Sequence, residues 1–140
     1  MTNLSTEIFI SLGVVNFPSM VAFYEGVLGF TPSRLKSGVY AEFHHLGTRL
    51  VLYSVPPENF INPIKRSYTS PGLSICLQVT ELETLLQQIS GAIAHSPVLS
   101  TVTIGTIMNQ SHGREVHLSD PEGNRLILYQ PIQKTATPSA

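Results

Sequence analysis

The side chains able to do acid–base or metal chemistry are few: His44, His45, His95, His112 and His117, the single Cys76, and Glu42 close to the first histidine pair. A divalent metal wants about three imidazole, thiolate or carboxylate donors converging on one point. His44 and His45 are adjacent in a strand-like segment, so they point to opposite faces and cannot both hold one ion. His112 precedes Gly113 in an apparent loop. His117 stands between Val116 and Leu118, which places it on the face opposite those apolar neighbours. An imidazole there suits a general base. A metal site built from His44 or His45 with Glu42 and His117 stays open. The ordinary reading of each histidine is structural or solvent-exposed. Cys76 lies between Ile75 and Leu77 and reads as a buried, inert thiol. No G-x-S-x-G, P-loop, G-x-G-x-x-G or Cys-x-x-Cys pattern is present.

These residues must be positioned by regular elements, and the pattern of those elements occurs twice. Residues 7–15 alternate as a strand, with Ile8, Ile10, Leu12 and Val14 on one face and Phe9, Ser11 and Gly13 on the other. Residues 16–28 read as a helix with Asn16 as N-cap, Pro18 in the first turn, an apolar stripe of Val21, Tyr24 and Leu28, and Gly29 as the stop. Strands follow near 31–36, 39–45 and 48–54, the last two forming a hairpin. A proline-rich segment over 55–71, with Pro56, Pro57, Pro63 and Pro71, reads as a module linker. Then the order restarts. Residues 73–79 read as a strand and 80–89 as a helix, with Thr80 and Glu83 in capping-box register and Gly91 at its end. Strands follow near 93–98, 101–108, 114–119 and 124–130, with the turn Asp120-Pro121-Glu122-Gly123 before the last. The repeat spacing is about 64 residues, from Phe9 to about Leu73. The tail over 131–140 is small and polar and is expected to be disordered.

Hydrophobic residues make up 42% of the chain and charged residues 12%, enough for a packed core and too little charge for a disordered chain. The formal net charge of −1 points to no nucleic-acid partner and no anionic membrane surface. The Lys65-Arg66 pair reads as a solvated loop. No apolar run approaches the ~20 residues of a membrane-spanning helix, and no secretory leader is evident. With one cysteine and hence no internal disulfide, a cytoplasmic setting is expected.

The segment Phe23-Tyr24-Glu25-Gly26-Val27-Leu28-Gly29-Phe30 resembles the "FYxxvLGF" helix end of the vicinal oxygen chelate superfamily. That group includes glyoxalase I, extradiol dioxygenases and bleomycin-resistance binding proteins. Asp120-Pro121-Glu122-Gly123-Asn124 resembles its "DPdGn" turn, and Gly113-Arg114-Glu115 the start of the preceding strand. Gly72 to Val79 followed by a helix is similar to the start of its second module. The resemblance implies an α+β fold over residues 7–130: two tandem βαβββ modules, about 7–54 and 72–130, forming an incomplete eight-stranded barrel around a cavity with the helices outside. In metal-dependent members four inward strand positions supply His, Glu or Gln. Carried over by distance from the motifs, these positions fall at Phe9, at or beside Leu52, at Ser74 and at Ile127. None of the four offers an imidazole or carboxylate, so no bound metal and no other cofactor is expected. What remains is a binding site for a small organic ligand lined by Phe9, Ser11, Leu52, Ser74, Cys76, Gln78, His117, Arg125, Ile127 and Tyr129. It resembles the bleomycin-resistance type, which sequesters a drug without chemistry. The alternative is a glyoxalase- or dioxygenase-like enzyme with a relocated metal or a His117 general base. The resemblance also implies a homodimer, to which Phe60, Ile61 and Ile64 of the linker add exposed apolar surface.

Overall fold

In the computed structural model, which describes residues 2–59 and 72–132, the duplicated order is present in full. The first module runs β1 (Ile10–Val14), α1 (Phe17–Val21), β2 (Thr31–Lys36), β3 (Tyr40–His45) and β4 (Thr48–Ser54). The second runs β5 (Ile75–Gln78), α2 (Leu82–Ala94), β6 (Met108–Gln110), β7 (Gly113–Ser119) and β8 (Arg125–Pro131). Each module forms one four-stranded sheet with the same order, β1-β4-β3-β2 and β5-β8-β7-β6. In each, the first strand pairs in parallel with the last, and the remaining pairs are antiparallel. Neither sheet closes on itself, so the architecture is the expected α+β pair of βαβββ modules. The inferred linker core over 60–71, with Phe60, Ile61, Ile64 and the Lys65-Arg66 pair, and the tail over 133–140 lie outside the described residues. No helix among the described residues is long and apolar enough to cross a membrane.

Strand alternation decides which side chains each helix covers. Val14, Leu50, Leu52, Ala41 and Phe43 are buried beneath α1, and Val116, Leu118, Leu126 and Leu128 join Leu82 and Ile89 of α2. These form one core across both modules. The opposite face of each sheet is turned away from this core, and the candidate site residues other than Leu52 stand there.

Several local expectations change for identifiable reasons. α1 starts as foreseen: the Asn16 side chain accepts from the Ser19 N–H at 3.3 Å, and Pro18 occupies the first turn. Over Ala22–Val27 it then widens into a π-helix, with the Leu28 N–H reaching the Phe23 carbonyl at 3.0 Å. The wider turn buries consecutive Phe23 and Tyr24, which pack edge-to-face at 5.1 Å, in place of a regular Val21, Tyr24, Leu28 stripe. α2 runs past Gly91 to Ala94, and no capping box forms. Glu83 turns away to a bidentate pair with Arg114, and the Leu82 N–H is met by the Gln130 side chain at 2.9 Å. The segment over 93–98, expected as a strand, is the helix end followed by a 3₁₀ turn at Pro97–Leu99. The strand expected over 101–108 is interrupted. Thr103 and Gly105 bond to Ser119 and His117, the Ile104–Leu118 bridge stands alone, and regular pairing resumes only at Met108.

The two modules are joined by a polar clamp inside the apolar core. The Tyr24 hydroxyl donates to Asp120 Oδ2 at 2.8 Å, and both residues are fully buried. Asp120 also accepts from the Asn124 side chain at 2.8 Å and from the Glu122 and Asn124 N–H groups at 2.9 and 3.0 Å. Glu122 crosses back to the first module and accepts from the N–H groups of Val15 and Asn16, at 2.9 and 2.8 Å. The turn thereby satisfies orphan donors at the start of α1. Burial pushes the Asp120 carboxyl above its usual value despite four donors, and burial next to Asp120 pushes the Tyr24 hydroxyl well up. Tyr24→Phe should cost about 1.5–3 kcal/mol, the range for a hydrogen bond to a charged group. A shift in the urea midpoint with unchanged m-value checks this. Because the folded Asp120 titrates above the unfolded one, its contribution is fully present below the unfolded value and is lost as pH rises through the folded value. Relative to Asp120→Asn, the native chain should therefore gain stability on acidification, read in paired denaturation curves from neutral to mildly acid pH.

Candidate functional site

The registers define the open faces row by row, because directly paired residues share a side of the sheet. On the first sheet one row is Ser11, Val51, Glu42 and Arg34; the next is Gly13, Tyr53, Tyr40 and Lys36. A third pairs Arg49 with His44 and Thr31, and the Arg49 guanidinium lies 3.7 Å from the centre of the Phe9 ring. On the second sheet the rows are Cys76, Ile127, His117; then Gln78, Tyr129, Glu115, Met108; then Arg125, Ser119. Ser74 joins the last, its hydroxyl 2.5 Å from Arg125 Nε.

Phe9, Ser11, Ser74, Gln78, His117, Arg125, Ile127 and Tyr129 therefore all stand on open faces, divided between the two sheets. Leu52 does not. It pairs with Leu12 and Ala41, is fully buried on the helix side, and cannot reach a ligand; the adjacent Val51 and Tyr53 occupy the open face. The offset is one residue, and with a two-residue strand period one residue inverts the side chain. Cys76 also departs from expectation: its thiol is exposed, because Ile75 and Leu77 take the core side. A shallow depression of about 370 Å³ lies between Gln78 on β5 and Thr84 and Gln88 on α2.

The first face holds a group of charged and aromatic side chains gathered on one carboxylate. Glu42 is nearly buried and is the hub of the network. Tyr40 donates its hydroxyl to Glu42 Oε2 at 2.7 Å, and Arg49 Nη1 donates to Oε1 at 3.1 Å. Arg34 and His44 approach the same carboxylate at 3.9 and 3.8 Å, and Arg49 also reaches Glu7 at 2.7 Å. The Tyr40 hydrogen bond, followed by those of Arg49, holds the Glu42 carboxyl below its usual value. Alternation of Tyr40, Glu42 and His44 along one strand, opposite Arg49, was the available signal. On the second face His117 Nε2 lies 3.2 Å from Glu115 Oε1, and the Tyr129 hydroxyl donates to the His112 carbonyl at 2.8 Å.

The four positions carried over from the metal-dependent proteins hold Phe9, Val51 beside Leu52, Ser74 and Ile127, with no imidazole or carboxylate among them. Among the described residues no three His, Cys, Asp or Glu side chains are grouped to hold an ion. Glu42 and His44 share the first sheet, while His117 stands on the second beside Glu115.

Tandem βαβββ modules, each with its last strand beside its first, are the fold that the resemblance to the vicinal oxygen chelate superfamily implies. No protein-family model and no curated protein sequence matches the chain. Solved structures do match it. TnmS3, an antibiotic binding protein from Streptomyces sp. CB03234, is 22% identical with a TM-score of 0.64 over 94% of this chain and 100% of that one. The bleomycin-binding protein of Streptomyces verticillus, complexed with copper(II)-bleomycin, is 20% identical with a TM-score of 0.61 over 94% and 100%. A glyoxylase/bleomycin resistance protein/dioxygenase domain from Frankia sp. EAN1pec is 16% identical with a TM-score of 0.67 over 95% and 96%. At these identities the likeness establishes the fold.

Removing the Tyr40 hydroxyl tests the network on the first face. In Tyr40→Phe the Glu42 carboxyl should titrate closer to 4.5, its ordinary value, read by carbon-detected NMR. The sign follows from the lowered folded value: this interaction stabilises the fold above the unfolded pKa and is lost as pH falls through the folded one. The variant should therefore lose stability near neutral pH and converge on the native chain in acid.

Proposed function

We propose that the chain is a metal-independent binding protein for a small organic ligand with an aromatic or amphipathic body, held on the open sheet faces. The observation that carries this reading is the chemistry of those faces. Where metal-dependent relatives of the fold place chelating side chains, this chain places Phe9, Val51, Ser74 and Ile127. Aromatic and aliphatic surface is thus joined to a few polar handles, Ser11, Gln78, His117 and Arg125, as in small-ligand pockets. Apolar surface removed from water by a ligand contributes about 25 cal/mol per Å². The solved structures of an antibiotic binding protein and of a bleomycin-binding protein on the same fold support the reading. The cellular setting that fits is the cytoplasm, with neither nucleic acid nor membrane as partner.

A second reading has one specific observation in its favour, the His117–Glu115 pair at 3.2 Å on the second face. A carboxylate beside an imidazole orients it and supports a general-base role. That enzyme would be a glyoxalase-like lyase or isomerase, or a dioxygenase.

Bleomycin is the first ligand to test by calorimetry. Phe9→Ala and Ile127→Glu should each weaken binding at least tenfold while leaving the thermal transition cooperative. Unchanged affinity in both would remove the open faces as the site. Turnover of an α-ketoaldehyde–thiol adduct that disappears in His117→Ala would establish the second reading instead.

The open faces also bear on assembly. A ligand held on open sheet faces is covered best when faces from two copies meet, which favours a homodimer. Light scattering at high micromolar concentration should give twice the 15.3 kDa chain mass. A monomer there would overturn this.

A further inference from the structure

The last strands of the two modules carry the same five-residue pattern. Arg49-Leu50-Val51-Leu52-Tyr53 on β4 recurs as Arg125-Leu126-Ile127-Leu128-Tyr129 on β8, with Val for Ile the single change. The leucines are core residues in both and are explained by packing. Core packing does not explain the tyrosines. Each stands on an open face, and each leans across a glycine of the neighbouring strand. Gly13 is paired with Tyr53, and a Cβ placed there would come within 3.2 Å of the Tyr53 hydroxyl oxygen and 3.3 Å of Cζ. A Cβ on Gly113 would meet the Gln130 carbonyl oxygen first, then the Pro131 Cα and Tyr129 Cε2, both at 2.9 Å. The Tyr129 ring is held further by its hydroxyl on the His112 carbonyl and by the His112 ring at 5.4 Å. In each case the glycine lets one side of the ring settle against the sheet. Tyr53 is nevertheless 44% exposed.

We infer that Tyr53 and Tyr129 are matched specificity-determining platforms, each backed by a glycine, for a flat conjugated ring system in the ligand. The inference rests on the open faces being the binding site and adds the ligand's shape class. A ring fixed against a sheet offers its face without losing side-chain freedom on binding, and π-faces favour offset stacking with other planar rings. A compact, non-planar apolar ligand gains only area burial there. Val51 and Ile127, two residues before each tyrosine on the same face, supply the aliphatic border.

Cross-strand packing of tyrosine on glycine also stabilises a sheet, so the test must separate rings from stability. The probes are acridone, a neutral planar fluorophore, and camphor, a compact non-planar ketone. Tyr53→Leu and Tyr129→Leu should each weaken acridone binding roughly five- to tenfold, with camphor binding unchanged. Tyr53→Phe should restore acridone binding to within about twofold of the native chain, since the ring and not the hydroxyl carries the stacking. If Tyr53→Leu does not fold, Tyr53→Met covers Gly13 without a ring and takes its place. Acridone binding unaffected by loss of either ring, or acridone and camphor weakened alike, overturns the inference. So does native protein that binds camphor but not acridone, an outcome that leaves the open-face reading standing. Ile127→Glu tests that reading separately, because it should weaken both probes.

Discussion

The buried Asp120 carboxylate is the constraint on which the remainder depends. It takes four hydrogen bonds, from Tyr24, the Asn124 side chain and two turn N–H groups, in an otherwise apolar core made mostly of Leu, Val, Ile and Phe. An unpaired acid there would cost several kcal/mol. Its donors come from both modules, so they must meet in one arrangement for the acid to be satisfied. Glu122, two residues on, fixes the same join from the other direction by holding the N–H groups at the start of α1. The π-helical widening of α1 belongs to this requirement, since it brings Phe23 and Tyr24 inward together.

With the helix-side faces committed to that shared core, the opposite faces are left open. The polar and aromatic residues there are ordered among themselves. Glu42 gathers Tyr40, Arg49, Arg34 and His44 on one face, and Glu115 meets His117 on the other. By register, Glu42 stands beside Val51 just as His117 stands beside Ile127. The duplicated scaffold thus carries an acid in one half and an imidazole in the other at the same place. The aliphatic row and the tyrosine beside it are kept in both halves.

Much of this was legible in the chain. The βαβββ order, the start of α1 at Asn16, the glycine stop at Gly29 and the Asp120–Asn124 turn follow from local capping and turn chemistry, which nearby residues decide. Nine of the ten residues expected to line the ligand face stand on the open faces, with Leu52 the exception, because a strand's period of two is a local property. The absence of chelating side chains at Phe9, Ser74 and Ile127 is likewise a matter of residue identity.

Tertiary structure decided the rest. Leu52 went to the core because register with Leu12 and Ala41, set by contacts far along the chain, chose its side. Glu83 abandoned its capping role because Arg114, thirty-one residues away, offers a stronger charge-assisted partner. The strand expected over 101–108 broke because its hydrogen bonds depend on where Ser119 and His117 lie. Glu42 became a hub only when β4 brought Arg49 beside it. Sequence spacing determines which side chains share a strand face; which strands lie side by side, and so which charges meet, is settled by the packing of the whole chain.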